Sequence, residues 1–274
     1  MSSSLSCVVI VPTFERRVLA ERAVRSALRQ SYPAAGIVVV DDGSTDDYAS
    51  VLRLDPRVRV LRLPENRGPG AARNAGLADC TASIVAFLDD DDELDQEFLA
   101  TVVAALGRSP SSIGLCWTGV TVCVDDDRQR VWTRDFFDRI HDEESLLRAF
   151  LAVGLGHGVA VKRECLARVG GFSEEFRLVE DTEWFLRILS HGYRPLPIRG
   201  SYVTVHCHSG SRMTDAEFFL RRRRECALLV ERMRPTLAAF PYLREMILEM
   251  VHLSGADAVE ARMTTATEIG NAWA

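Results

Sequence analysis

The first third of the chain alternates short apolar runs with stretches in which apolar residues recur at helical spacing. Apolar runs cover residues 7–11, 37–40, 58–63 and 84–88, and helical patterns cover 19–30 and 70–78. Strand, helix and strand within about 35 residues form a βαβ unit, which requires parallel strands and a right-handed crossover. The pattern predicts an α/β fold whose ligands bind beyond the carboxyl ends of the strands.

Beyond residue 97 the alternation becomes less regular. We predict a helix that ends near residue 106, strands over 115–124, 158–161 and 202–206, and helices over 182–190, 216–233 and 241–261. These elements predict two domains: an α/β domain over residues 1–215 and a C-terminal helical extension over residues 216–274.

Composition narrows the class of protein. With 274 residues and 47% hydrophobic content the chain can bury a sizeable core, and its net charge of −6 argues against non-specific nucleic-acid binding. Seven scattered cysteines without a CxxC pair favour reduced thiols and a cytoplasmic location. The segment Met1 to Ser6 lacks a basic stretch followed by an apolar core, and no run reaches about 18 apolar residues, so we expect neither a signal peptide nor a membrane span.

Four consecutive acids, Asp89 to Asp92, follow the apolar run at 84–88 directly. Strand alternation would place Asp89 and Asp91 on one face, with Asp90 and Asp92 on the other face or in the next turn. Two carboxylates on one side suit Mg²⁺ or Mn²⁺, which leave other positions to water and phosphates. The alternative is a solvated acidic loop; the strand that leads into the run favours the metal site.

Two further segments at strand ends are typical of nucleotide binding. In the DDGSTD segment after the second strand, Asp42 can accept hydrogen bonds from a base or ribose, or it can cap the next helix. The glycine-rich turn at 66–76 opens a helix, where Arg73 can contact a diphosphate or remain a surface arginine. We favour the ligand contact for Asp42.

Two later segments carry titratable side chains. Glu180 or Asp181 can act as a general base, although helix capping explains both acids equally well from local sequence. His206 and His208 flank a cysteine, and no second cluster completes a zinc tetrad. One histidine can join the acidic run at a shared metal site, or both are ordinary loop residues.

Taken in order, these segments resemble glycosyltransferase family 2 on the GT-A fold. The resemblance covers about residues 7–211 through the segments VVIVPTFERR, QSYP, IVVVDDGSTDD, NRGPGAARNAGL, AFLDDDDE, VGGFSEEF, EDTEWFLRI and HSGS. It implies a Rossmann-like, mostly parallel central sheet flanked by helices. The nucleotide-sugar half would span residues 1–110 and the acceptor half residues 111–215.

The resemblance also implies the reaction: a sugar moves from a nucleotide-diphosphate sugar to an acceptor, with a divalent cation, Mn²⁺ or Mg²⁺, and inversion at the anomeric carbon. Metal binding is implied for Asp91, with Asp89 and His208; His206 remains an alternative. Asp181 is the expected catalytic base, beside Glu180, and Trp184 lies below the acceptor site. Donor contacts are implied for Pro12, Phe14, Asp42, Arg73, Asp89 and Asp90.

The partners follow from this reaction. We expect a UDP-, dTDP- or GDP-sugar donor, an acceptor that the sequence leaves unidentified, no nucleic acid and no integral membrane association, with the C-terminal helices as a candidate homodimer surface. Gln96 stands where the family usually has proline, and the acidic run is unusually long. The alternatives are a nucleotidyltransferase or a catalytically inactive nucleotide-sugar-binding protein.

Overall fold

A computed structural model describes residues 5–46, 55–124, 127–134, 137–155, 157–207 and 216–252. The chain divides into two compact units, the first ending at Cys207 and the second containing the C-terminal helices. The domain boundary that we predict at residue 215 lies outside the described residues and stays a prediction.

The first unit begins with the predicted alternation of strands and helices. Its elements are β1 (Cys7–Thr13), α1 (Arg17–Leu28), β2 (Gly36–Asp41), β3 (Val58–Arg62), α2 (Pro69–Ala78), β4 (Ile84–Leu88), β5 (Glu93–Leu94) and α3 (Phe98–Arg108). It continues with β6 (Ile113–Val124), β7 (Asp127–Arg134), a 3₁₀ turn (Phe137–Arg139), α4 (Glu143–Val153), β8 (His157–Lys162), α5 (Arg163–Val169), α6 (Glu180–Ser190) and β9 (Arg194–Cys207).

In the described part of the chain these strands form one sheet, in the order β3-β2-β1-β4-β8-β6-β9-β5, with β7 beside β6. Strands β3, β2, β1 and β4 are all parallel. Thr13 at the end of β1 pairs with Asp41 at the end of β2, and Ile10 pairs with Phe87 near the end of β4. The carboxyl ends of three strands therefore meet at one edge, where a ligand of an α/β sheet binds.

The second half of the sheet mixes directions. Strand β8 is antiparallel to β4 and β6, while the long strands β6 and β9 run parallel. Strand β9 begins at Arg194, eight residues before the start that we predict from residues 202–206. The first half of β9 was not predicted because it contains Pro195 and Pro197, and proline has no backbone N–H to donate to a neighbouring strand. The predicted α/β class is confirmed.

Two groups of buried side chains hold the functional edge in place. One apolar core joins β1, β2, β4 and β6 to α1 and α3. On the other face, the ring of Phe87 in β4 lies 5.4 Å from Phe172 and 6.1 Å from Trp184 of α6, measured between centroids. These edge-to-face contacts fix α6 against the strand that leads into the acidic run.

The second unit contains α7 (Ala216–Arg232), α8 (Arg234–Ala239) and α9 (Pro241–His252). Apolar side chains are buried in all three, including Leu229, Leu237 and Leu243. The predicted helix over 241–261 is described as far as His252. Among the described helices, none combines the length and apolar character that crossing a bilayer requires.

Candidate active site

The four acids after β4 form a tight turn in which the Asp92 N–H donates to the Asp89 carbonyl at 3.2 Å. Their burial alternates as the strand pattern predicts: Asp90 is 6% exposed and Asp92 2% exposed, whereas Asp89 and Asp91 are half-buried. The run therefore presents two carboxylates to the open side and keeps two inside the fold.

Asp90 is the buried carboxylate at the centre of this cluster. The Thr13 hydroxyl donates to its Oδ2 at 2.8 Å, and Arg16 Nη1 donates to its Oδ1 at 3.2 Å. Burial, with a smaller contribution from the charge of Asp91, raises the pKa of Asp90 to about 7 against the opposing hydrogen bond from Thr13. Burial is thus the main reason why the charge of Asp90 needs compensation.

Arg16 is a site residue that sequence reasoning missed. It lies between β1 and α1, and the same Nη1 also donates to Asp91 Oδ2 at 2.7 Å. A second arginine, Arg22 of α1, donates from Nη2 to the Asp91 backbone carbonyl at 2.8 Å. The sequence contained a signal for this contact: Arg16 and Arg17 follow β1 closely, so they must lie at the same sheet edge as the acids after β4.

Glu15 holds the loop that carries Arg16. Its φ of 56° lies in the left-handed region, which is unusual for a residue other than glycine. Its backbone N–H donates to the Ser44 hydroxyl at 2.9 Å, and its carboxylate accepts from the Thr45 N–H at 2.8 Å. The loop after β1 is thereby fastened to the turn after β2.

Asp42, which we predict to contact the base or ribose, stabilises the glycine-rich turn in this structure. Its Oδ1 accepts from the Arg67 N–H at 2.9 Å, and its Oδ2 accepts from the Gly68 N–H at 2.8 Å. Each carboxylate oxygen has a second lone pair, so a further hydrogen bond to a ligand remains compatible with these bonds. The contact with a base or ribose stays a prediction.

Pro12 and Phe14 lie at the same edge. Pro12 is buried in β1 opposite Val40 of β2, and Phe14 is half-buried just beyond the end of the strand. The neighbouring Thr13 carbonyl accepts from the Asp42 N–H at 2.9 Å, so Phe14 follows a residue that contacts the DDGSTD turn. Its contact with a base also stays a prediction.

Arg73 of α2 is almost completely buried, with an exposed fraction of 4%. Its Nη1 donates to Glu180 at 2.8 Å, its Nη2 donates to Asp89 at 3.0 Å, and its guanidinium lies over the Phe172 ring. Burial raises the pKa of Glu180 to about 7, with Asp181 acting in the same direction and Arg73 against it. These ion pairs use two of the five N–H donors of the guanidinium, and the contact of Arg73 with a diphosphate stays a prediction.

Asp181, the predicted base, is half-buried in the first turn of α6. Its Oδ1 accepts from the Thr182 N–H at 2.6 Å, and its Oδ2 lies 3.5 Å from the Leu155 N–H. Trp184, in the next turn, has no exposed surface and donates its indole N–H to the Gly170 carbonyl at 3.0 Å. Any effect of Trp184 on an acceptor must therefore pass through the position of α6.

The histidines are only partly described. His206 of β9 donates its backbone N–H to Asp92 Oδ1 at 3.2 Å, and its Nε2 lies 3.1 Å from Glu93 Oε1. His208 lies outside the described residues, so its predicted metal contact remains untested. Within the described ranges, no three acidic, histidine or cysteine side chains converge closely enough to hold a metal ion by themselves.

This arrangement nevertheless fits a divalent cation that also binds substrate phosphates. Asp89 and Asp91 provide partly exposed carboxylates, and the cluster attracts positive charge, since two arginines already pair with it. Mg²⁺ and Mn²⁺ typically take one or two protein carboxylates and fill the remaining positions with water and phosphate.

Comparison with known proteins identifies the family. Residues 8–169, more than half of the chain, match the sequence profile described as Glycosyl transferase family 2. The chain belongs to this family. The profile includes the acidic run and ends before α6, so the predicted base lies outside the matched region.

A relative within glycosyl transferase family 2 comes from Campylobacter jejuni. This protein, a GalNAc(5)-diNAcBac-PP-undecaprenol beta-1,3-glucosyltransferase, is 41% identical over 185 residues, which cover 64% of this chain and 57% of that enzyme. The teichuronic acid glycosyltransferase TuaG of Bacillus subtilis, a putative assignment in its own name, is 39% identical over 95 residues, or 33% of this chain and 38% of TuaG. The chain thus spans little more than half of the Campylobacter protein.

Solved structures share the fold. TarS 1–349 of S. aureus in complex with UDP has a TM-score of 0.64 at 20% identity, covering 86% of this chain and 70% of TarS. The mannosyltransferase PcManGT of Pyrobaculum calidifontis, in complex with GDP-Man and Mn²⁺, has a TM-score of 0.63 at 23% identity. The match covers 98% of this chain and 76% of PcManGT. The predicted GT-A fold is confirmed.

Proposed function

We propose that this member of glycosyl transferase family 2 is a metal-dependent, inverting glycosyltransferase. It would transfer a sugar from a nucleotide-diphosphate sugar to an acceptor by direct displacement. The observation that carries the proposal is the ion-pair chain from Asp89 through Arg73 to Glu180, because Glu180 precedes Asp181. This chain of ion pairs supports the proposal that the acids after β4 and the predicted base of α6 belong to one site.

The donor would lie along the edge formed by β1, β2 and β4. In the proposal Pro12, Phe14 and Asp42 contact the base and ribose, whereas Arg73, Asp89 and Asp90 lie toward the diphosphate. The complexes of TarS with UDP and of PcManGT with GDP-Man support a nucleotide-sugar donor, and the candidates for this chain are UDP-, dTDP- and GDP-sugars.

Asp91 and Asp89 would hold the divalent cation, Mn²⁺ or Mg²⁺, with His208 or His206 as a further ligand. When bound, the cation offsets the negative charge that develops on the departing nucleoside diphosphate. The Mn²⁺ in the PcManGT complex supports this assignment.

Asp181 would act as the general base. The acceptor hydroxyl, amine or thiol gives its proton to a carboxylate oxygen of Asp181 as its lone pair attacks the anomeric carbon. The bond from that carbon to the diphosphate oxygen breaks on the opposite face, and the nucleoside diphosphate leaves with the bonding electrons. Backside attack inverts the configuration. Asp181 is half-buried, and the N–H groups of Thr182 and Leu155, one near each carboxylate oxygen, orient its side chain.

The acceptor and the surroundings of the protein complete the proposal. The name of the Campylobacter relative places diphosphate-linked polyprenol glycans among the acceptors to be tested, beside polysaccharides, peptides and small metabolites. The scattered cysteines support a cytoplasmic location, and the C-terminal helices offer a surface for a homodimer.

The function is tested by incubating purified protein with a panel of UDP-, dTDP- and GDP-sugars, with Mn²⁺ and with EDTA. We expect release of nucleoside diphosphate from one donor only with metal, and a product whose anomeric configuration, read by NMR, is opposite to that of the donor. Nucleotide binding without turnover across donors and acceptors would favour the inactive binding protein. Release of pyrophosphate would favour a nucleotidyltransferase.

A further inference from the structure

The contact of Arg16 with the acidic run places a cation at the position that a metal ion would need. Its Nη1 lies 2.7 Å from Asp91 Oδ2 and 3.2 Å from Asp90 Oδ1, so one nitrogen bridges two carboxylates. Asp90 is buried, whereas the Arg16 side chain is 37% exposed and that of Asp91 is 25% exposed. The guanidinium can therefore leave the acids without disturbing the core.

Charge balance explains why a cation stands there. Asp89, Asp90 and Asp91 are consecutive, and like charges at this spacing repel one another strongly where burial lowers the dielectric constant. Arg73 pairs with Asp89, and Arg16 pairs with the other two. A guanidinium keeps its charge at every accessible pH, so it compensates the acids whenever no other cation does.

The backbone in front of Arg16 is held in a defined position. Glu15 has a left-handed φ of 56° and is bonded on both sides to the turn after β2, through Ser44 and Thr45. This fastening directs the Arg16 side chain toward the end of β4. It also connects Arg16 to the same turn that contains the predicted base-binding segment.

We propose that Arg16 is the resident cation of the donor-free site, and that a divalent cation must displace its guanidinium from Asp91 Oδ2 in order to bind. The inference rests on the proposed function, because it takes Asp91 as a metal ligand. In the donor-free protein, Arg16 and the metal compete for the same oxygen. Once displaced, the guanidinium stays at the nucleotide edge, where the phosphates of a donor give it a new anionic partner.

Two consequences follow. The donor-free protein binds metal weakly, because each binding event must first break a charge-assisted hydrogen bond. A nucleoside diphosphate removes this penalty by pairing with Arg16, so nucleotide and metal strengthen each other's binding by the same factor. Arg16 thus keeps the acidic run compensated between turnovers and favours metal binding together with the donor.

The test is a Mn²⁺ titration of donor-free protein, in which the EPR signal of free Mn²⁺ reports uptake. Arg16→Gln should bind Mn²⁺ about five- to tenfold more tightly than the wild type, as expected for loss of one partly exposed charge-assisted bond. Arg16→Lys keeps the charge and should stay close to the wild type. The matched control is Arg25→Gln, which removes an equal charge from the neighbouring helix, where Arg25 pairs with Glu21.

A second titration in saturating UDP separates competition from a general electrostatic effect. The increase in Mn²⁺ affinity that Arg16→Gln causes should shrink to about twofold or less, because in the wild type the nucleotide already pairs with Arg16 and releases it from Asp91. Equal or weaker Mn²⁺ binding by Arg16→Gln, or an equal gain in Arg25→Gln, would overturn the inference and leave the proposed function intact. Absence of Mn²⁺ uptake in all proteins, with and without UDP, would overturn both.

Discussion

Arg73 and Glu180 form a buried salt bridge, Nη1 to Oε1 at 2.8 Å, between residues that are 107 positions apart in the chain. Through it, the helix after the glycine-rich turn is joined to the helix that carries the predicted base. Neither residue is more than 6% exposed. A buried pair of this kind has its main effect when one partner is lost, because the other is then left as an uncompensated charge.

Arg73→Met should therefore destabilise the fold by about 3 to 5 kcal/mol at pH 8, since the ionised Glu180 loses its buried partner. Adding Glu180→Gln to Arg73→Met should recover part of this loss. Urea unfolding of the two single variants and the double variant measures the coupling. Additive effects in this double-mutant cycle would show that the two side chains do not stabilise each other.

The raised pKa of Glu180 predicts a pH dependence of stability. Burial raises this pKa from 4.5 to about 7, so between these values the folded protein holds a proton that the unfolded chain has lost. The resulting stabilisation is complete below pH 4.5 and is lost as the pH rises through 7. As the pH rises from about 5 to about 7.5, the urea midpoint of the wild type should decrease relative to that of Glu180→Gln. A constant difference between the two proteins would contradict the raised pKa.

Asp181→Asn tests the base. The amide keeps the size of the side chain but cannot accept the acceptor's proton, so turnover should fall by roughly 10² to 10⁴-fold while donor affinity is unchanged. Turnover is measured as nucleoside diphosphate release, and donor affinity by calorimetry. An equal loss of donor affinity would make Asp181 a structural cap, and a larger kinetic effect of Glu180→Gln would shift the role to that residue.

Asp91→Asn tests the metal assignment. The amide removes the charge that would hold the cation, so transfer should be almost abolished and Mn²⁺ uptake should weaken, whereas Asp89→Asn should weaken both less completely. Circular dichroism confirms that the fold is retained. Asp79→Asn, an exposed acid that pairs with Arg59, is the control for loss of a negative charge. Wild-type turnover of Asp91→Asn at limiting Mn²⁺ would refute the assignment.

Gly43→Ala should disturb the nucleotide edge. Gly43 has a φ of 79°, and a Cβ there would lie 2.5 Å from the Glu65 carbonyl carbon, which is backbone and cannot turn away. We expect a loss of about 2 to 4 kcal/mol, from left-handed strain and steric overlap together, and weaker nucleotide binding. Gly192→Ala has a similar φ of 81° with no atom within 4 Å, so it isolates the strain and should cost about 1 kcal/mol. Equal losses in the two variants would exclude the overlap.

The sequence predicts the elements over residues 7–108 well because the strands there are short, apolar and locally bounded. Residues 84–88 were predicted to be a strand and are one, and the acids that follow alternate in burial as expected. The second half resisted prediction for physical reasons. Strand β9 has prolines near its start, and it depends on pairing with β6 across three register shifts, which local sequence does not encode.

Helix α4 and Arg16 show two kinds of missed signal. Asp142 and Ser145 form a capping box at the start of α4. These two residues mark the start of a helix in the sequence itself, but the segment matched no functional motif and the helix was not predicted. The bond between Arg16 and Asp91 joins residues 75 positions apart, and only the pairing of β1 with β4 brings them together. The position of these charged residues at strand ends was predictable, whereas the partner of each charge depended on tertiary contacts.

The aromatic contacts of Phe87 and Trp184 have a consequence for how this family acquires new substrates. They fasten the helix of the predicted base to the strand that leads into the acidic run, so these two parts of the candidate site keep a constant separation. The turn at Gly154 and Leu155 approaches Asp181 from another part of the chain, through the Leu155 N–H. Under the proposed function, a change in such a turn could alter the choice of acceptor while the separation between the acidic run and the predicted base stays the same.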